Sequence, residues 1–361
     1  MKRTVPIGLL FSTDGVYGRI GAACRTGALE AVARVNADPA RRVAFAVVER
    51  DPGGVLDNYA PLCAELLRSD GLRHIVGCVT SSSRKEVIPT LDRHGGTLWY
   101  TAPYEGFEAS DRVVYLHACP NQHLLPLLDW AFATQGRRGY LTGSNYIWGW
   151  EMNRLARQTI TAAEGQIAGE RYLPLGSVDV GQMIDEIRQT MPDFILNSLI
   201  GPSSHAFLSA YADLGASDAR FAPDRCPVLS CNLTECELPD LGHAAEGLIA
   251  AGPYFDTGAA AFASSFAAAA DLAIRTLADL LDAPGQEGKD MTALLDTDAG
   301  RASGIDPQTH HVPQRALIAR VRDGAFAVLR DFGLRRGDPY LSAGWTEPAP
   351  AGASPVLRVV S

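Results

Sequence analysis

Four segments concentrate side chains able to hold a small polar molecule, and each follows a run of β-forming residues. The first, Cys78-Val79-Thr80-Ser81-Ser82-Ser83-Arg84-Lys85, is rich in hydroxyls and opens a helical pattern. The first-turn N–H groups of that helix would face whatever lies beyond the strand, and a carbonyl or carboxylate oxygen is what such donors bind. Ser82 or Ser83 would serve equally well as an ordinary N-cap, and the two roles can fall to different serines. The second segment sets Tyr100, Tyr104, Phe107, Glu105 and Glu108 where a solvated loop is normally small and polar. Rings with hydroxyl tips suit a small-molecule pocket, so Tyr100 and Tyr104 are candidates, whereas Phe107 reads as packing between lobes. In the third, Tyr146, Trp148 and Trp150 lie between a strand and a helix and could close over a ligand, although burial alone would explain one or two of the rings. The fourth, Cys231 to Glu237, offers Thr234 and Glu235 as acceptors, with Glu237 an ordinary exposed acid.

Signatures of catalysis and of metal binding are weak. Cys231 and Cys236 are too widely spaced for a zinc knuckle and have no second pair, and the adjacent His310 and His311 lack ligand spacing. No dinucleotide, P-loop or hydrolase-elbow glycine motif falls at a strand–helix junction. A Cys78 nucleophile assisted by Lys85 and Glu105 could attack an amide, but buried structural cysteines far outnumber reactive ones. The reading is a binding protein with no catalytic residue, metal or cofactor.

The elements that must position these loops alternate. β-type runs are expected at 5–10, 43–49, 74–77, 97–101, 138–142, 166–172, 194–198, 228–231 and 247–251, with helical patterns at 21–36, 58–69, 83–93, 122–135, 151–163, 180–191 and 203–214. Right-handed βα units of this kind build a mostly parallel sheet covered on both faces, so the class is α/β. Ligands of such sheets sit beyond the carboxyl ends of the strands, where the four segments fall. After residue 251 come two helical stretches and a hairpin pair, 314–322 and 325–331, joined at Asp323-Gly324. The tail from Gly344 to Ser354 reads as a surface segment.

With 361 residues, 47% apolar, the chain is long enough for two lobes and a cleft between them. A formal charge of −9 gives no attraction toward nucleic acid or anionic lipid. No run reaches the ~18 apolar residues of a membrane span, since Ala259 to Leu281 carries Asp271, Arg275 and Asp279 at helical intervals. Pro6 and Gly8 interrupt the first apolar run, which reads as a strand rather than an export signal. The seven cysteines are odd in number and scattered, which argues for a reducing compartment. The expected location is the cytoplasm, or the periplasm if an export segment has been trimmed.

Taken as a set, the motifs Ile7-Gly-Leu-Leu-Phe-Ser12, Arg50-Asp-Pro-Gly-Gly54, Val76-Gly-Cys78, Arg84-Lys85, Ala102-Pro-Tyr-Glu-Gly-Phe-Glu108, Pro120-Asn-Gln122 and Gly143-Ser-Asn-Tyr-Ile147 resemble a known family. It comprises the amide-sensing negative regulators of aliphatic amidase operons and their relatives, the urea- and short-chain-amide-binding proteins of ABC transporters. The likeness runs from about residue 5 to 330. It implies the type I periplasmic-binding-protein fold, two Rossmann-like lobes joined by three crossovers, with residues 1–119 and 253–322 in one lobe and 120–252 and 323–361 in the other. It further implies that Ser81, Tyr100 and Tyr146 contact a bound amide, that Trp148 stands where the sensor has tyrosine, and that Thr234 and Glu235 match a third contact region. Val79 replaces a pocket tyrosine and Ala102 a threonine. Two lost hydroxyls suggest a roomier pocket and an amide bulkier than acetamide, or a related small polar compound. The regulator reading adds an RNA-binding antiterminator held by the open form and released as ligand favours the closed one, with a homodimer possible. The alternative is the substrate-binding protein of an ABC transporter for urea, short-chain amides or branched-chain amino acids.

Overall fold

The computed structural model describes residues 2–69, 71–258 and 261–343. Its first sheet is parallel and five-stranded. It takes β1 (Arg3–Leu10), β2 (Val43–Arg50), β3 (His74–Gly77), β4 (Thr97–Tyr100) and β5 (Val113–Tyr115) in the order β2-β1-β3-β4-β5. β3, β4 and β5 are buried along their whole length, as strands covered on both faces by helices must be. The covering helices include α1 (Gly18–Ala37), α2 (Tyr59–Leu67) and α3 (Ser81–His94).

A second sheet follows. It contains β6 (Arg138–Ser144), β7 (Gln166–Leu173), β8 (Phe194–Ser198), β9 (Val228–Ser230), β10 (Ile249–Gly252), β11 (Gln314–Arg322) and β12 (Ala325–Arg335), ordered β12-β11-β10-β9-β8-β6-β7. The helices between these strands are α4 (Leu124–Thr134), α5 (Ile147–Ala162), α6 (Gly181–Thr190), α7 (Pro202–Ser217) and the short α8 (Leu238–Leu241). α9 (Ser265–Leu281) packs back into the core of the first sheet through Phe266, Ile274 and Leu277. The chain thus passes between the sheets after β5, after β10 and before β11.

The α/β class and the parallel sheets agree with the sequence reading, with two differences. β5 escapes a periodicity search because three residues carry no period; its parallel register against β4, Leu98 opposite Val113, creates it. β11 pairs antiparallel with β10, Ile249 opposite Arg320, so residues 314–322 lie in the second sheet and not with the first lobe, where the expected boundary at 322 placed them. The expected surface tail 344–354 lies outside the described residues.

Candidate functional site

The first-lobe wall is built by the start of α3. Thr80, extended at φ −129° and ψ 155°, caps the helix, and its hydroxyl accepts from the Ser83 amide at 3.1 Å. Ser83 Oγ returns the bond by accepting from the Thr80 amide at 3.2 Å, and the Thr80 carbonyl takes the Arg84 amide at 3.0 Å. The helix therefore begins at Ser81, two residues before the expected start, and Ser83 completes the cap instead of forming it. The Ser81 and Ser82 amides are the two first-turn donors that this cap leaves unused.

Behind that turn lies a buried charge network. Ser81 Oγ donates to Glu105 Oε2 at 2.6 Å, and Glu105 Oε1 accepts from Arg84 Nη2 at 2.7 Å. Arg84 is fully buried, donates through Nε to Glu108 at 2.8 Å, and sits against the rings of Tyr100 and Tyr104 at 4.8 and 4.7 Å. Burial pushes the Glu108 carboxyl up, but Arg84 and Lys85 win and hold it down to about 2. Burial also raises the Tyr100 phenol far above its ordinary range, so it stays neutral and can donate or accept.

The opposite wall comes from the second lobe. Tyr146 precedes α5 and Trp148 lies in its first turn; the buried indole N–H of Trp148 has no hydrogen-bond partner among the described residues. Asn232 follows β9, and Ile200 follows β8. Val79, Thr80, Ser81, Tyr100 and Pro103 face these four residues across a small cavity, closed further by Tyr17 and Ile20 of the β1–α1 region and by Phe266 of α9. It leaves about 20 Å³ for the centre of a water-sized sphere, room for a single water. No lining residue is ionised.

Val79, Ser81, Tyr100, Tyr146 and Trp148, singled out from sequence, are thus brought together. Four others are not on the cavity wall. Ala102 is buried beside it, and Tyr104 turns its ring onto Arg84. The Thr234 hydroxyl meets Cys236 Sγ at 3.4 Å, and Glu235 lines a separate surface recess with Leu238, Pro239 and Asp256. Glu237, expected to be exposed, is buried with one carboxylate oxygen 3.3 Å from His205 Nε2. The hydrolytic arrangement at Cys78 fails on geometry: Lys85 pairs with Glu108 and Glu105 with Arg84, while burial raises the Cys78 thiol. Among the described residues no group of three or more His, Cys, Asp or Glu is arranged to hold a metal ion.

Glu235 should make folding stability depend on pH. Burial pushes its carboxyl up to about 7, against opposing backbone hydrogen bonds that include one from the Asp256 amide at 2.6 Å. A carboxyl raised in the folded state favours folding below its unfolded pKa of about 4.3 and loses that contribution as pH rises through 7. Glu235→Gln should therefore melt higher than the parent at pH 8 and level with it at pH 4.5; parallel melting curves at both pH values would refute this.

Two α/β lobes joined by three crossings, with an uncharged cavity walled by both, define the class of two-lobed small-molecule-binding proteins. The chain belongs to the periplasmic binding protein domain family, whose profile matches residues 5–278. Among solved structures it resembles the solute-binding protein of an ABC transporter from Rhodopseudomonas palustris HaA2 in complex with p-hydroxybenzoic acid, at 20% identity over 94% of this chain and 100% of that one, TM-score 0.75. It also resembles the branched-chain amino acid transporter substrate-binding protein of Streptococcus pneumoniae in complex with isoleucine, at 16% identity over 92% and 100% of the chains, TM-score 0.75. A third is an R. palustris solute-binding protein in complex with benzoate, at 17% identity over 93% and 98%, TM-score 0.73. At these identities the likeness is one of fold. The family takes its name from the periplasm, so the cytoplasmic expectation gains no support from it, nor do the amidase-regulator role and the antiterminator partner. No helix among the described residues is long and apolar enough to cross a membrane.

Proposed function

We propose that this protein is the solute-binding receptor of an ABC-type transport system, and that its lobes close on a small carbonyl-bearing solute such as an amide, a urea or a short carboxylic acid. The observation that carries this reading is the uncharged cavity to which both lobes contribute, with Ser81, the first residue of α3, on one wall and Trp148, whose buried indole N–H has no partner among the described residues, on the other. The lining offers no carboxylate to an ammonium group, which disfavours amino acids relative to neutral solutes. The closing bodies are residues 2–119 with 261–313 and 120–252 with 314–335. A cavity of this size admits a solute only when the bodies part, so loading and closure are coupled. None of its lining residues is an activated nucleophile, and the solute leaves unchanged.

A melting-temperature screen over small amides, ureas, short and aromatic carboxylates and branched-chain amino acids tests the reading, since a solute that binds the folded form raises its midpoint. Ser81→Ala and Tyr100→Ala should each weaken the best solute by about 1–3 kcal/mol in calorimetry, because a buried polar partner is left unmatched. Affinities unchanged in both variants would place the site elsewhere.

A further inference from the structure

We infer that Glu105 sets the donor–acceptor polarity of the cavity through Ser81, so that a primary amide or urea is selected over the carboxylate of the same shape. This rests on the cleft-binding reading above and adds its selectivity. A serine hydroxyl has one proton, and that of Ser81 is given to Glu105 Oε2 at 2.6 Å. Glu105 is in no position to return one, because its other oxygen is paired with the buried guanidinium of Arg84 at 2.7 Å, which keeps it an acceptor only. Toward the cavity, then, Ser81 Oγ shows lone pairs.

Beside it the Ser81 amide, unused by the Thr80 cap, is a donor, and so is the buried, unpartnered Trp148 indole N–H on the facing wall. A group with one carbonyl oxygen and an adjacent NH₂ satisfies both characters at once. A carboxylate brings a second oxygen, which meets the Ser81 lone pairs; turning the hydroxyl to serve it strips Glu105 Oε2 of its donor in a buried site. Tyr100 and Tyr146, held neutral by burial, can face either way and do not discriminate. Glu105 is a positioning residue, since it acts through Ser81.

Calorimetry with the pairs acetamide/acetate and propionamide/propionate tests the inference. The parent should bind each amide at least tenfold tighter than its carboxylate. In Glu105→Gln, the amide oxygen stays on Arg84 and the NH₂ turns to Ser81, which releases the serine proton into the cavity; the amide preference should shrink at least tenfold. In Ser81→Ala, amide affinity should fall at least fivefold with carboxylate affinity unchanged, and this variant decides the matter alone should Glu105→Gln fail to fold. Carboxylates bound by the parent as tightly as amides, or a parent-like ratio in folded Glu105→Gln, would overturn the inference while leaving the cleft reading intact. Absence of binding in both series would overturn the two together.

Discussion

Gly201→Ala should abolish tight solute binding, by a hundredfold or more, in a protein that still folds. Gly201 joins β8 to α7 at φ +54° and ψ −132°, a backbone conformation that side chains rarely adopt. A Cβ built there would lie 2.3 Å from the Val16 carbonyl oxygen and 3.0 Å from Val16 Cγ1. Val16 belongs to the β1–α1 loop of the first lobe, so the glycine marks a point where the two lobes touch backbone to backbone. Other contacts cross the same mouth: Arg19 pairs with Asp240, and the Arg154 guanidinium lies 4.6 Å from the Phe107 ring centre. An alanine there wedges the lobes apart by roughly an ångström at the contact, since ordinary carbon–oxygen separations are above ~3 Å. Parted lobes feel no wedge, and the variant then bears only the local backbone strain, about 1–3 kcal/mol. Gly242 supplies the control. It has nearly the same dihedrals, φ +51° and ψ −127°, with nothing within 4 Å of its Cβ position. Gly242→Ala should lower the ligand-free melting temperature about as much as Gly201→Ala and leave affinity intact. Equal affinities in the two variants would mean that closure does not pass through the Val16 contact.

Much of this geometry was legible in the sequence because its causes are local. Strands of four to eight apolar residues alternating with amphipathic helices announce a parallel α/β architecture, and in such sheets the residues just after a strand face the ligand side. That rule reached Tyr100, Tyr146 and Trp148 and the segment that holds Val79 and Ser81, two residues the family resemblance then singled out. It stopped where the cause is tertiary. Tyr17 and Ile20 enter the cavity because β1 is an interior strand, between β2 and β3, and Phe266 enters because α9 returns to the first lobe from more than a hundred residues away. Asn232 sat in a segment already singled out, but Thr234 and Glu235 drew attention by polarity, while the turn after β9 aims only Asn232 at the cavity. The run Thr80-Ser81-Ser82-Ser83 holds four possible caps; the extended backbone of Thr80, in the connection between β3 and α3, decides among them. The lobe boundary near 314 was missed because the expected boundary at 322 fell at the Asp323-Gly324 turn and split the hairpin, and nothing in residues 314–322 themselves shows that they pair with β10.

Arg84→Met should be among the most destabilising single changes available, and its pH dependence should reveal why. An arginine in the first turn of a helix reads as a solvated charge, yet Arg84 is fully buried because Glu105 and Glu108 arrive from the loop after β4 to neutralise it. Methionine fills much of the space against Tyr100 and Tyr104, so packing loss is modest, and the damage comes from the carboxylate charge left without its guanidinium. Removing one partner of a buried pair typically costs about 3–5 kcal/mol. Lys85 still reaches Glu108 from the surface, which leaves Glu105 as the uncompensated group. In the parent, Glu108 is held down to about 2, so its pairing stabilises the fold above the unfolded value of about 4.3 and is lost as pH falls toward 2. The gap in melting temperature between parent and Arg84→Met should therefore be widest at pH 7 and narrow steadily below pH 4. Adding Glu105→Gln to Arg84→Met should recover part of the loss at pH 7, because the stranded charge is gone. A gap independent of pH, with no recovery in the double variant, would show that Arg84 stabilises by filling space, and that Ser81 owes its orientation to something other than this charge pair.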